Sequence, residues 1–252
     1  MTSILHNQEQ GVLTLTLNRV DKKNALTADM YAALADHLNQ AQAADDVRVV
    51  LLQGHETVFS AGNDIADFLQ QPPANPDSPV SRFLRGIAVF TKPLLASVCG
   101  PAVGVGTTML FHCDLVYAGD NAAFSMPFVN LGLCPEAASS VLAVKLMGYQ
   151  RAAEALLMGE PFMVETALEM GLVSRVLPPA EVNAYAQRQA QKMAAKPLSS
   201  LIETKRLMKQ ASTPAVLSQM DQEAAVFGRM LKEPAAIEAF SAFMEKRKPV
   251  FG

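Results

Sequence analysis

KPLLASVCGPAVGVGTTMLFHCDLVYAG, residues 92–119, decides the fold. Residues 93–113 carry no formal charge, a length that could span a bilayer. The run is broken, however, by Pro93 and Pro101 and by Gly100, Gly104 and Gly106. It reads instead as a buried strand over residues 94–98, a glycine-rich turn, a buried helix over 107–111 and a second strand over 114–117. Outward from it the same alternation continues. Leu13, Leu15 and Leu17 alternate with Thr14 and Thr16, the period of a half-buried strand. Residues 47–52 form an apolar run ending before Gly54. Between them Thr27 is placed to cap a helix whose apolar face is Tyr31, Leu34, Leu38 and Ala41. Strands separated by helices predict an α/β protein with a layered core and parallel pairings.

Beyond residue 135 the strand signal nearly vanishes. Helical patterns follow over 137–146, 151–158, 164–170, 182–193, 198–209, 216–230 and 235–246. One carries the stripe Val216, Met220, Ala224, Phe227 and Leu231. Lys196-Pro197 is a break, so the organisation predicted is a core over 1–195 and a helical region over 196–252. The Met- and Phe-rich helices offer more apolar surface than one thin layer needs, which suits either the internal core or a second subunit. QQPPANPDSP, residues 70–79, is a surface loop, a plain connector or an entrance to a site.

The chain has 252 residues and a net charge of −3, without the basic excess of a nucleic-acid binder. Cys99, Cys113 and Cys134 lack CxxC spacing and are odd in number, so neither a disulfide framework nor a cysteine zinc site is expected. The first ten residues, MTSILHNQEQ, have neither a basic nor an apolar stretch of a signal peptide, and the last four are not a peroxisomal address. The expected setting is cytoplasmic, with no membrane and no metal.

GxSxG, GxxxxGK[ST] and HExxH are absent, and the four histidines are scattered. GVGTTM lacks the third glycine of a dinucleotide fingerprint. Two glycine turns carry more. FSAGND, residues 59–64, follows one strand, and GPAVGVG, residues 100–106, follows another. Each leads into a helix and exposes backbone N–H groups, and side by side the two would make an oxyanion hole. Either turn alone is also what a tight strand-to-helix connection requires.

Together FSAGNDI, the 92–119 stretch, FSMPFVNLGLCPEAASS, NRVDKKNALT and the terminal AFMEKRKPVF resemble the enoyl-CoA hydratase/isomerase (crotonase) superfamily, across nearly the whole chain. The resemblance implies a crotonase-like spiral of ββα units and a helical C-terminal trimerisation region giving a homotrimer or hexamer. It also implies acyl-CoA thioesters as substrates, with CoA entering as part of the substrate and no separate cofactor. The oxyanion hole it implies is formed by the N–H groups of Ala61 and Val105. Lys23, Ala25, Gly62, Asp64, Ile65, Gly104, Phe128, Leu131 and Lys246 are the implied substrate-binding residues.

A typical hydratase of this family uses two glutamates around one water. Thr108 and Phe128 stand at those positions, and neither can act as an acid or base near neutrality. Glu136, in LCPEAASS, remains. PFVNLGLCPEAASS is similar to the peroxisomal-type Δ3,Δ2-enoyl-CoA isomerase branch, in which the glutamate after this proline is the sole acid/base. The plainer account of Glu136 is an acid at a helix start, favoured by the helix dipole. The expected activity is isomerisation of 3-enoyl-CoA to 2-enoyl-CoA. Another crotonase reaction, such as atypical hydration or thioester hydrolysis, and a non-catalytic acyl-CoA-binding protein are the alternatives, because fold does not fix reaction.

Overall fold

The computed structural model describes residues 2–72 and 75–252. Pro73 and Ala74 of the proline-rich loop lie outside the described residues. The strands are β1 Ile4–Glu9, β2 Val12–Leu17, β3 Val49–Gln53, β4 Leu94–Val98, β5 Pro101–Val103, β6 Leu115–Gly119, β7 Ala123–Ser125, β8 Phe162–Met163 and β9 Arg175–Leu177. The helices are α1 Ala28–Ala43, α2 Ile65–Gln70, α3 Pro79–Val89, α4 Val105–Thr108, α5 Ser139–Met147, α6 Tyr149–Ala153, α7 Val164–Glu169, α8 Pro179–Ala194, α9 Leu198–Lys209, α10 Thr213–Met230 and α11 Pro234–Met244.

A six-stranded sheet runs in the order β1-β2-β3-β4-β6-β9. Only β1–β2 is antiparallel; the later pairs are parallel, with Val50 opposite Leu94 and Leu95 opposite Leu115. Parallel sheets survive when both faces are covered, and here they are. Leu13, Leu15, Val50, Leu52 and Leu94 pack under α1 and α3. On the other face Val12, Val49, Leu51 and Leu95 meet Val182, Ala186, Ala190 and Ala194 of α8, a small-residue stripe that lets the helix lie close. The half-buried reading of β2 therefore needs correction. Thr14 is itself buried, and its hydroxyl donates to Gln187 of α8 at 2.9 Å.

A second sheet has the strand order β5-β7-β8. The neutral 93–113 stretch is β4, β5 and the short helix α4, followed by a single 3₁₀ stretch. Among the described residues no helix is long and apolar enough to cross a membrane. Of the C-terminal helices, α10 joins the main core through Val216 and Met220, while Phe227 joins Ala236 and Phe240 of α11 in a second cluster around Phe68 and Phe128. The buried stripe of α10 is Val216, Met220, Glu223 and Phe227, so a carboxylate takes the inward place that the pattern gave to Ala224.

Candidate active site

Two backbone bridges bring the glycine turns together. The Ser60 N–H donates to Pro101 O at 3.0 Å, and the Val103 N–H returns to Ser60 O at 2.9 Å. The approach is close enough to exclude side chains. A Cβ on Gly62, which sits at a φ of +88°, would lie 2.9 Å from Val103 O. Beyond them the Thr107 and Thr108 N–H groups both reach Gly104 O, so Val105 N, at the first position of α4, is without an intrahelical partner.

The other donor is not the one expected. The Ala61 N–H donates to Lys23 O at 2.9 Å and is unavailable to a ligand. Leu26 forms a parallel bridge opposite Asn63, bonding Gly62 O and the Asp64 N–H on either side of it. In such a bridge the facing residue turns its own N–H the other way, and Asn63 and Val105 both line one cavity of about 440 Å³. Asn63 therefore replaces Ala61 as the donor opposite Val105. Its side chain is pinned by the buried Tyr31, whose hydroxyl donates to Asn63 Oδ1 at 2.5 Å.

Most of the expected binding residues line this cavity. Lys23 and Ala25 come from the segment before α1, and Gly62, Asp64 and Ile65 come from the first turn. Gly104 comes from the second, and Phe128 and Leu131 from the segment after β7. Asp64 has other work: it caps α2 by accepting from the Asp67 N–H and pairs with Arg19 at 2.7 Å, and these contacts hold its carboxyl below the ordinary range against the effect of burial. Lys246 is not brought to the cavity. It is exposed at a φ of 56° past the end of α11, and Phe243 and Met244 line the wall instead.

Glu136 lines a second cavity, of about 290 Å³, between α3 and α10. Phe68 and Phe227 line both cavities, their rings 6.2 Å apart and edge to face, and form the partition. Thr108, in the helix that starts at Val105, donates its hydroxyl toward Glu136 Oε1 at 3.4 Å. Burial first, and then the charge of Glu223, push Glu136 up to about 7, against the Thr108 hydroxyl. Burial raises Tyr31 well above its ordinary range, and the charge of Glu136 adds to it.

The helix-start account of Glu136 does not hold. Ala137 and Ala138 are left-handed, at φ 58° and 57°, and α5 begins only at Ser139. Glu136 contributes its carbonyl, accepting from Ser139 N–H and Oγ, while Glu223 of α10 takes the Ala138 and Ser140 N–H groups. Two residues that the structure adds to the candidate site lay outside the sequence reading, Asn63 and Glu223. The second had a signal, a charge on an otherwise apolar helical stripe.

Burial pushes the thiols of Cys99 and Cys134 up to about 11 and that of Cys113 to about 12, too high for nucleophiles. Among the described residues no group of three His, Cys, Asp or Glu side chains could hold a metal ion.

This fold, with backbone N–H groups at two glycine turns beside one apolar cavity and the buried Glu136 in the next, is that of a crotonase-superfamily enzyme acting on acyl-CoA. The family model described as enoyl-CoA hydratase/isomerase matches residues 7–252, and the chain belongs to that family. It is 32% identical to 2,3-dehydroadipyl-CoA hydratase of Escherichia coli, over 100% of this chain and 99% of the relative. It is 34% identical to enoyl-CoA delta isomerase 2 of Rattus norvegicus, over 98% of this chain and 64% of that protein. The crystal structure of an enoyl-CoA hydratase/isomerase from Pseudoalteromonas atlantica superposes with a TM-score of 0.95 at 39% identity, covering 100% of both chains.

Proposed function

We propose that the protein is an isomerase that moves the double bond of a 3-enoyl-CoA thioester to the 2 position, with Glu136 as its single acid/base. The thioester oxygen sits between the N–H groups of Asn63 and Val105, and the acyl chain passes the Phe68–Phe227 partition toward Glu136. The carboxylate takes a proton from C2. The C–H electron pair moves into a dienolate whose negative oxygen faces the two fixed dipoles, an arrangement worth roughly 10²–10³ in rate per donor. Protonated Glu136 then delivers the proton to C4, and the C2–C3 double bond forms. Phosphates of CoA fit Lys22 and Lys23 at the rim of the first cavity. The reaction needs no metal and no cofactor besides the CoA already on the substrate.

The observation that carries this reading is the state of the carboxyls along the cavities. Asp64 is paired with Arg19, Asp221 with Arg85, and Glu223 is held by backbone donors. Glu136 alone has only one long hydroxyl contact and a proton affinity set near neutrality, where one group can both accept and donate. Thr108 and Phe128 leave no second carboxyl to activate water.

The test is Glu136→Gln, assayed on 3-enoyl-CoA and on 2-enoyl-CoA beside the unmodified protein. Isomerisation should disappear while acyl-CoA binding persists, and hydration of 2-enoyl-CoA should be slow in both. Full isomerase activity in the variant overturns the mechanism. Hydration exceeding isomerisation in the unmodified protein would make it a hydratase, and inactivity toward both substrates would leave a binding protein.

A further inference from the structure

We propose that Glu223 is a positioning residue for Glu136: from α10 its carboxylate grips the left-handed turn that carries Glu136 into the second cavity. The proposal rests on the reading of Glu136 as the acid/base and adds a residue that acts only through it.

Glu223 is 5% exposed, flanked on its stripe by Met220 and Phe227, and among the described residues it has no cationic partner. A carboxylate in such a place is tolerated only if hydrogen bonds replace its water. They come from one short segment. The Ala138 N–H donates at 2.6 Å, the Ser140 N–H at 3.1 Å, and the Ser140 hydroxyl donates as well. Gln219, also on α10, holds that hydroxyl from the other side at 2.9 Å.

The segment needs holding. Ala137 and Ala138 are consecutive L-residues in the left-handed region, which alanine disfavours. On the opposite side of the turn the buried His112 donates from Nε2 to Ala137 O at 2.8 Å. Burial lowers His112 to about 4, so the ring stays neutral and keeps one N–H for that bond. Glu223 and His112 therefore clamp the backbone immediately after Glu136, and the direction of its side chain follows from theirs.

Thr108 of α4 is hydrogen-bonded to Glu136, Glu223 of α10 lines the same cavity, and the charge of Glu136 is felt by Tyr31 of α1 and by Cys134 of its own segment. The Arg85–Asp221 pair closes the same cavity. Of these Glu223 brings a like charge: burial raises its own proton affinity, the Ser140 and Ala138 donors oppose that, and in its ionised form it favours the protonated form of Glu136. Removing that charge lowers the proton affinity of Glu136, so activity that requires its ionised form should set in at lower pH.

Two variants separate charge from position. Glu223→Gln loses the charge and turns an NH₂ group against the turn's own donors. Its kcat on 3-enoyl-CoA should fall by roughly 10²-fold, the scale of a misplaced reacting group, with KM little changed. The ascending limb of its pH profile should move to lower pH. Glu223→Asp keeps the charge but falls one methylene short. Its kcat should fall while the limb stays in place, and this variant also carries the test if the Gln form does not fold. A residue that merely capped α5 would lower the melting temperature in both variants and leave kcat and the limb unmoved, and that result overturns the proposal. A ¹³C NMR titration of the Glu136 carboxyl needs no turnover. Its midpoint should be lower in Glu223→Gln, and an unchanged midpoint also overturns the proposal. If the midpoint shifts although the unmodified protein does not isomerise 3-enoyl-CoA, the reaction assignment fails and the positioning role stands.

Discussion

At the residue scale, Glu136 trades stability for chemistry. Its carboxyl titrates near 7 in the folded chain and near 4.5 in an unfolded one. Between those values the folded state holds more protons, so stability falls as pH rises from about 4.5 to about 7 and stays reduced above. Glu136→Gln should therefore be more stable than the unmodified protein at pH 8, by about 3 kcal/mol, and close to it at pH 4. Urea unfolding at the two pH values measures the difference. The sequence pointed to Glu136 through the resemblance of PFVNLGLCPEAASS to the isomerase branch; a lone acid after a proline is by itself equally what a helix start favours. The choice between Ala61 and Asn63 was not legible there. Which N–H faces the ligand depends on the left-handed Gly62 and on the carbonyl of Lys23, far earlier in the chain. A linear pattern does not express that.

At the element scale, the starts of α1 and α2 are locked to each other. Thr27 caps α1 through the Met30 N–H, while Asp67 of α2 accepts from the Ala28 N–H at 2.7 Å. Asp64 caps α2 and holds Arg19. Asp64→Ala should destabilise the fold by about 1–2 kcal/mol, from a lost cap plus a largely buried ion pair. Thermal unfolding would detect it, and an unchanged midpoint would return Asp64 to ligand binding alone. The helices were legible through their caps and periodicity: α1 begins where Thr27 said it would, and α9 keeps its full predicted span. The short strands β5, β7, β8 and β9 were not, because two or three residues hold no period. Helix α5 starts late because a clamp from α10 overrides local preference at Ala137 and Ala138.

At the scale of the whole molecule, the exposed apolar side chains ask for cover. Leu207, Met208, Ile237, Phe243 and Met244 lie on the C-terminal helices, as expected of an assembling region. Tyr149, Leu157 and Met158, outside the C-terminal helices, are exposed as well. Scattered apolar residues are ordinary on a monomer, but large ones in number mark a contact surface. A trimer or a dimer of trimers is the expected state, and the measured mass at micromolar concentration decides it; a stable monomer refutes the expectation. The order in which the parts appear along the chain has its own consequence. Every strand is complete by Leu177, and α8 then covers the main sheet. Glu223, Phe227, Phe243 and Met244, which complete the cavities, all come later. During synthesis the scaffold can therefore assemble while the last helices are still inside the ribosome. A polypeptide released before α10 would lack these walls of both cavities.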